Sequence, residues 1–311
     1  MSGVESVAVI VFGHARPVHL ENLLCSLFNN EEAAGLPVYV RIDGPRNGSE
    51  KSLTNQSARV AERYVGRDRV STSETNHGLK ISLVQGISEV LASYEQVIVL
   101  EDDLILSRYF LRFMLDGLSM YGANPAVASI HGYVLPNVSV ANESFFLRGA
   151  DCWGWATWRE AWEQYREDAT GLLNELREQN MEYDFSFGGV SPHLRLLESA
   201  SEGFSQSWAI LWHASTYLQG RLTLYPGTSL VSNQGHEGSG THSVITSAYD
   251  SAVASAPLRI VRQPVEVSAE AWRGYSQFYK WRKKTKRRDH IALRLRTYRL
   301  RALRRLGLDV K

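Results

Sequence analysis

Apolar positions in the first 120 residues follow two alternating rhythms. Short continuous runs at Ser6–Phe12 (SVAVIVF), Pro37–Ile42 (PVYVRI) and Val97–Leu100 (VIVL) read as buried strands, with Arg69–Ser73 as a weaker one. Behind Pro17, which suits a first helical turn, Leu20, Leu23, Leu24, Leu27 and Phe28 recur at helical spacing. Ser57–Val65 reads as helix. Leu83, Val84, Ile87, Val90 and Leu91 mark another amphipathic helix, and Phe110, Leu111, Met114, Leu115 and Leu118 a further one. Strand and helix in alternation predict an α/β fold with a mostly parallel, doubly wound, Rossmann-like sheet.

From Ala126 the pattern changes. Ala126–Ile130 predicts one more strand, Leu172–Gln179 and Leu194–Ser201 surface helices, and Arg221–Tyr225 and Ser229–Ser232 short strands around Pro226. Trp153, Trp155, Trp158 and Trp162 cannot share one helical face. They either line a cleft for sugar rings and nucleobases or form an aromatic core. Ser205–Leu218 brings Trp208, Leu211, Trp212 and Ser215 onto one helical face, with His213 beside it. Beyond Tyr279 an apolar stripe (Ile291, Leu295, Tyr298, Ala302, Leu306) is surrounded by Arg294, Arg296, Arg299, Arg301, Arg304 and Arg305.

Charge sharpens this division. Residues 273–311 carry 15 Lys/Arg against 2 Asp/Glu, a balance of +13, while the preceding 272 residues carry 19 against 31, or −12. The expected organisation is an α/β half over 1–125, a helical half of the same domain over 126–272, and a basic amphipathic tail over 273–311. Residues 279–306 are expected to dock on an anionic membrane surface, with a partner protein or plain solvation as the alternatives. No nucleic-acid partner is expected, since the tail has no recognised module and the body is acidic. Cys25 and Cys152 make neither a disulfide framework nor a metal spacing, and no apolar run approaches the roughly 20 residues that cross a bilayer. A cytoplasmic protein, peripheral at the inner face of the membrane, is the expectation.

The chemistry concentrates where the central strand runs into Glu101-Asp102-Asp103. Open α/β sheets bind ligands at the carboxyl ends of their strands. Three adjacent acids repel one another, and hard oxygen donors favour Mg2+ or Mn2+ bridging carboxylate to phosphate. A solvated acidic turn is the plainer alternative. Parallel topology brings His14 and Arg16, after the first strand, and Asp43, after the second, to the same rim. Arg16 suits a phosphate, and Asp43 suits a base N–H or a ribose hydroxyl; a salt bridge between the two is the structural alternative. The glycine-rich loop 233–242, with His236, Glu237 and His242, reads as a lid or as an idle surface loop. No G-x-G-x-x-G, Walker A or G-x-S-x-G motif is present.

Seven ordered segments between residues 6 and 245 resemble the GT-A nucleotide-sugar glycosyltransferases, specifically bacterial relatives of N-acetylglucosaminyltransferase I. They are Val9–Pro17 (VIVFGHARP), Arg41–Pro45 (RIDGP), Asn76–Gly86 (NHGLKISLVQG), Val97–Leu104 (VIVLEDDL), Trp153–Trp158 (WGWATW), Ser207–Trp212 (SWAILW) and Pro226–His242 (PGTSLVSNQGHEGSGTH). The resemblance implies a GT-A fold with a helical acceptor-side half. It also implies an inverting, Mn2+- or Mg2+-dependent transfer of a hexosyl or N-acetylhexosaminyl group. The donor would be a nucleoside-diphosphate sugar, expected to be UDP-linked, and the acceptor a surface glycan or a lipid-linked precursor.

By position, Asp103 corresponds to the metal ligand of a D-x-D-type motif, with Glu101 and Asp102 meeting ribose or metal-bound water. Arg16, Asp43 and His14 fall at nucleotide-binding positions, and Lys80 opens the helix near the base. Loop 233–242, with His242, resembles the segment closing over the donor. The relatives place an Asp near the helix corresponding to Ser207–Trp212, where this chain has Ala209, Ile210 and Leu211. Asp151 is the substitute chosen as general base, ahead of His213, His236 and Glu237. That departure keeps a second function open, a non-catalytic glycan-binding or membrane-docked scaffold. A sugar nucleotidyltransferase is a third, set back by the absence of a glycine-rich basic N-terminal loop.

Overall fold

The first apolar run becomes strand β1 (Val7–Gly13), buried from Val7 to Phe12. A strand buried on both faces sits inside a sheet, and β1 runs parallel between β2 (Val38–Ile42) and β4 (Gln96–Glu101). The computed structural model describes residues 7–235 and 246–285. Joining these strands are α1 (Pro17–Phe28), α2 (Lys51–Val65), β3 (Val70–Thr72) and α3 (Leu79–Ser93). Pro17 occupies the first turn of α1, and Leu20, Leu23, Leu24 and Leu27 are its buried face. Each of these leucines contributes about 1.5–3 kcal/mol of gross apolar burial. Helix α2 begins six residues ahead of the Ser57 expected from the pattern. Its first turns are polar and bury Thr54 and Ser57, so no apolar stripe announces them.

Beyond the acids come β5 (Leu104–Leu106), α4 (Phe110–Tyr121), β6 (Val127–His131), β7 (Ser144–Arg148) and β8 (Trp155–Trp158). Then follow α5 (Arg159–Trp162), α6 (Ala169–Glu178), α7 (Glu182–Phe185), α8 (His193–Ser201), α9 (Trp208–Leu218), β9 (Leu222–Pro226) and β10 (Val231–Asn233). The large sheet has the order β3-β2-β1-β4-β8-β6-β9-β7. Only β8 and β7 run against the other six, so the sheet is mostly parallel as expected. Helices cover both faces. Gly86 of α3 packs on Ile10 and Phe12, and Gly117 of α4 packs on Ile130. In each place a Cβ would meet side chains at 3.0 Å or less.

The tryptophan cluster divides. Trp155, Trp158 and Trp162 are buried, and Trp155 packs 5.6–6.0 Å from Trp162, Trp208 and Trp212. These three make an aromatic core; Trp153, at the open end of β8, is half-buried. Helix α9 is buried on almost every side. Trp208 and Trp212 serve the main core, while Ile210, Leu211, Ala214 and Tyr217 serve a smaller one with Leu172, Leu176, Phe185 and Leu197. A helix shared by two cores shows no clean stripe.

A last helix, α10, covers residues 269–285. The expected boundary at residue 273 falls inside it. Ala271, Tyr275, Phe278 and Tyr279 belong to the main core, and Ser276 donates to the Phe187 carbonyl at 3.0 Å. The charge change marks the exposed face of α10, whereas burial on its other face makes it part of the body. Among the described residues no helix is long and apolar enough to cross a membrane. Residues 286–306, which carry most of the expected basic stripe, lie outside the described residues. Because Tyr275 is only 2% exposed, Tyr275→Ala is expected to cost about 3 kcal/mol or more in urea unfolding. An unchanged midpoint would show α10 to be an appendage.

Candidate functional site

The connections from β1 and β4 leave the sheet in opposite directions, so their carboxyl ends frame a topological switch point, where α/β sheets bind ligands. Register places Phe12 opposite Glu101, and the Asp102 N–H donates to the Phe12 carbonyl at 2.9 Å. Within three residues of Gly13 and Glu101, the loops meet. The Arg16 guanidinium binds Asp102 Oδ1 through Nη2, and the same nitrogen stands 3.3 Å from Asp103 Oδ2. The His14 backbone N–H reaches Asp102 Oδ2 at 3.3 Å. Arg16 thus pairs with these acids rather than with Asp43. Its Nη1 is buried without a hydrogen-bond partner among the described residues, a donor still unspent.

Charge at this rim is only partly answered. Burial pushes the Asp102 carboxyl up against the pull of Arg16. Burial, followed by the charges of Asp103 and Asp102, pushes Glu101 up to about 8. Three carboxyls therefore share one guanidinium. No group of three or more His, Cys, Asp or Glu side chains is disposed to hold a metal among the described residues. The donor set fits the other mode, in which one or two carboxylates bind Mg2+ or a similar ion and phosphates and water complete the shell. Half-buried Asp103, with Glu101 beside it, offers that. Strand β10 pairs antiparallel with β5 and carries the chain across Asp103: the Gln234 N–H donates to the Asp103 carbonyl at 2.7 Å. A Cβ on Gly235 would stand 2.4 Å from Asp103 Oδ2, so a larger residue there would make the Asp103 carboxylate shift. His236, Glu237 and His242 lie outside the described residues.

Asp43 does reach the same rim, and its acceptor capacity is filled by its own loops. Oδ1 accepts from the N–H groups of Gly44 (2.8 Å) and His77 (3.0 Å). Oδ2 accepts from Asn76 Nδ2 and the Gly78 N–H, both at 2.9 Å. The carboxylate staples the turn after β2 to the start of α3. His14 Nε2 joins the staple by donating to the Gly44 carbonyl at 2.9 Å. Lys80, in the first turn of α3, directs its ammonium to Glu167 at 2.9 Å.

Across the switch point, β8 runs antiparallel to β4 with Val99 opposite Trp155. The ladder ends there, and the loop that carries Asp151, Cys152 and Trp153 enters β8 from the side of Glu101–Asp103. Electrostatics agree: burial, then the charges of Glu101, Asp151 and Asp103, hold the Cys152 thiol well above its ordinary value. Burial pushes Asp151 up to about 6, against hydrogen bonds from the Cys152 N–H and the Tyr225 hydroxyl. Tyr225, Tyr275 and Tyr279 surround it. Burial raises each hydroxyl's pKa, and Asp151 leads the charges that add to the shift. These tyrosines and Cys152 were not among the expected site residues. They come from β9, α10 and the start of β8, and no local spacing joins them. A separate cavity of about 460 Å³, lined by Tyr39, Arg41, Arg69, Glu89 and Tyr94 among others, lies on the β2–β3 side and includes none of the rim residues.

Neither a protein-family model nor a curated protein sequence matches the chain. Among solved structures it is similar to a mannosyltransferase from Pyrobaculum calidifontis in complex with GDP-Man and Mn2+. There the identity is 16%, the coverage 68% of this chain and 69% of that one, and the TM-score 0.40. TarS of S. aureus, residues 1–349, is 15% identical over 75% of this chain, which spans 61% of that one, with a TM-score of 0.42. Glucosyl-3-phosphoglycerate synthase from Mycobacterium tuberculosis, in complex with Mg2+ and uridine-diphosphate, is 10% identical over 66% and 82% of the two chains, with a TM-score of 0.36.

The rim yields a direct test. Arg16→Met leaves two carboxylates facing one another without a cation and is expected to cost about 3–5 kcal/mol in urea unfolding. Adding Asp102→Asn is expected to restore part of that loss, with a coupling of about 1 kcal/mol or more. Equal losses in the single and double variants would mean the pair is not coupled.

Proposed function

We propose that this chain is a divalent-cation-dependent glycosyltransferase of the GT-A type. It moves a hexosyl or N-acetylhexosaminyl group, with inversion, from a UDP-linked donor to a surface-glycan or lipid-linked acceptor. One observation carries the reading: Arg16, Asp102 and Asp103 meet at the switch point between β1 and β4, with the 233–235 strap laid over Asp103. The seven ordered segments that resemble such enzymes, bacterial relatives of N-acetylglucosaminyltransferase I among them, supply the sequence support.

Each residue then has a task. Asp103, with Glu101 beside it, would hold Mn2+ or Mg2+, which would supply positive charge against the departing diphosphate. Arg16 offers its unspent Nη1 to a phosphate oxygen. His14 and Asp43 hold the two loops beneath the nucleotide, and Lys80 marks the start of the helix beside the base. The segment from Asn233 through His242 covers the donor and keeps water from the reacting carbon, where hydrolysis competes with transfer. Asp151, as carboxylate, accepts the proton of the acceptor hydroxyl. The hydroxyl oxygen bonds to the anomeric carbon as the bond from that carbon to the diphosphate breaks. With its pKa raised to about 6, Asp151 is both ionised near neutral pH and basic enough to take that proton.

The exposed side of α10 supports docking at the inner face of a membrane. Lys280, Lys283 and Lys284 point outward with Trp281, which is 49% exposed, and a tryptophan among lysines suits a lipid headgroup layer. The expected contact runs from residue 279 to 306, of which 279–285 are described.

Calorimetry with UDP tests the site. The wild type is expected to bind UDP about tenfold or more tightly with Mn2+ than without it, and Asp103→Ala to lose that difference. Equal affinity in all these cases would remove the metal-diphosphate site. For the surface, sedimentation with anionic phosphatidylserine vesicles is expected to carry down the wild type. The triple variant Lys280→Glu, Lys283→Glu, Lys284→Glu should stay in solution, at about 1 kcal/mol lost per lysine. Equal partitioning of the two would give α10 another purpose.

A further inference from the structure

Asp151 lies in a short loop with a glycine of positive φ at each end: Gly149 at 84° and Gly154 at 64°. Left-handed backbone at both ends makes the loop a sharp detour between β7 and β8, and such a detour needs tethers. Its glycine ends are tied by backbone bonds, the Gly149 N–H to the Arg221 carbonyl at 3.2 Å and the Gly132 N–H to the Gly154 carbonyl at 2.7 Å, and two side chains tether the residues between them, both buried histidines from distant parts of the chain. At one end the Ala150 carbonyl, just before Asp151, is 2.7 Å from His213 Nδ1 of α9. A carbonyl only accepts, so Nδ1 carries the proton and Nε2 is bare. At the other end the Trp153 N–H donates to Nε2 of His131, the last residue of β6, at 3.0 Å. An N–H only donates, so this Nε2 is bare too and its proton sits on Nδ1. The two contacts therefore dictate the same tautomer in both rings.

Packing holds both rings in place. His213 is wedged between Gly149, where a Cβ would stand 2.5 Å from the ring, and His193, whose ring centroid is 4.5 Å away. Its Nε2 has no hydrogen-bond partner among the described residues. Phe185 closes the pocket at 5.1 Å. His131 lies against Tyr225 at 5.0 Å, the tyrosine that bonds Asp151. Burial lowers the basicity of both imidazoles, His213 to about 4 and His131 to about 3. Neither ring is suited to exchange protons with a substrate near neutral pH, which leaves geometry as their contribution.

We propose that His131 and His213 are positioning residues that clamp the two ends of the Gly149–Gly154 loop, as Nδ1–H tautomers, and so hold the Asp151 carboxyl in its tyrosine-lined seat. The proposal rests on Asp151 as the base of the transfer reaction. A misplacement of about 1 Å at such a group costs on the order of 100-fold in rate, so two hydrogen bonds far from the donor control turnover while leaving donor binding alone.

The experiment pairs hydrogen–deuterium exchange of the 149–154 backbone with transfer kinetics in the full chain. His131→Leu and His213→Leu remove the contacts. His131→Gln returns an acceptor near the Nε2 position, and His213→Asn a donor near Nδ1. The leucine variants are expected to exchange about tenfold faster across 149–154. They should also lose about 100-fold in kcat with donor KM unchanged, and the Gln and Asn variants should recover most of both. Unchanged exchange overturns the clamp, and so does faster exchange with unchanged kcat. Should the leucine variants fail to fold, nitrogen-15 NMR of the wild-type histidines decides, since an Nε2–H tautomer at either residue overturns the proposal. Asp151→Asn is the control for the underlying reading. If it transfers sugar at the wild-type rate, Asp151 is not the base, and the exchange data still judge the clamp by itself.

Discussion

Two carboxylates at the end of a buried strand, answered by one guanidinium, set the terms for the rest of the molecule. Asp102 is 3% exposed, and an ion taken that far from water costs several kcal/mol unless a partner meets it. Arg16 can meet it only if β1 and β4 are neighbours, run parallel and end level. Phe12 opposite Glu101 satisfies that condition. Pro17 starts α1 immediately after Arg16, so the guanidinium is presented from the mouth of the loop rather than from within a helix. The pairing still leaves the Asp103 carboxylate only partly answered, at 3.3 Å from the guanidinium, and the strap from β10 crosses there.

The opposite wall handles a buried carboxyl by different means. Asp151 has tyrosine hydroxyls and a backbone N–H around it, and burial raises its pKa where a nearby cation would have lowered it. Burial thus raises carboxyl pKa on both sides of the switch point, to about 8 at Glu101 and about 6 at Asp151, and the Arg16 guanidinium stands on the first side. Cys152 records the closeness of the two sides, since charges from both act on one thiol.

Helix α10 links this wall to the surface. Its buried face supplies Tyr275 and Tyr279 to the seat of Asp151, and its outer face carries lysines and Trp281. The basic charge, expected to mark a separate tail, and the tyrosines beside Asp151 are two sides of one helix.

The chain by itself determined what short-range repetition can encode. Continuous apolar runs specified β1, β2 and β4, helical spacing specified α1, α3 and α4, and their alternation specified a mostly parallel sheet. Parallel topology then brought His14, Arg16, Asp43 and the three acids to one rim, because the carboxyl ends of parallel strands share an edge. Tertiary structure alone decided how those residues are used. Asp43 spends its lone pairs on Gly44, Asn76, His77 and Gly78, and Arg16 turns to Asp102. Three of four clustered tryptophans go to the core, α10 joins the body, and His131 and His213 find the Asp151 loop. Apart from the Asp43–Gly44 turn, these hydrogen bonds join residues 22 to 89 positions apart. Hydrogen-bond capacity and burial there depend on which distant neighbour the fold places at each acceptor or cavity, and periodicity along the chain carries no trace of that.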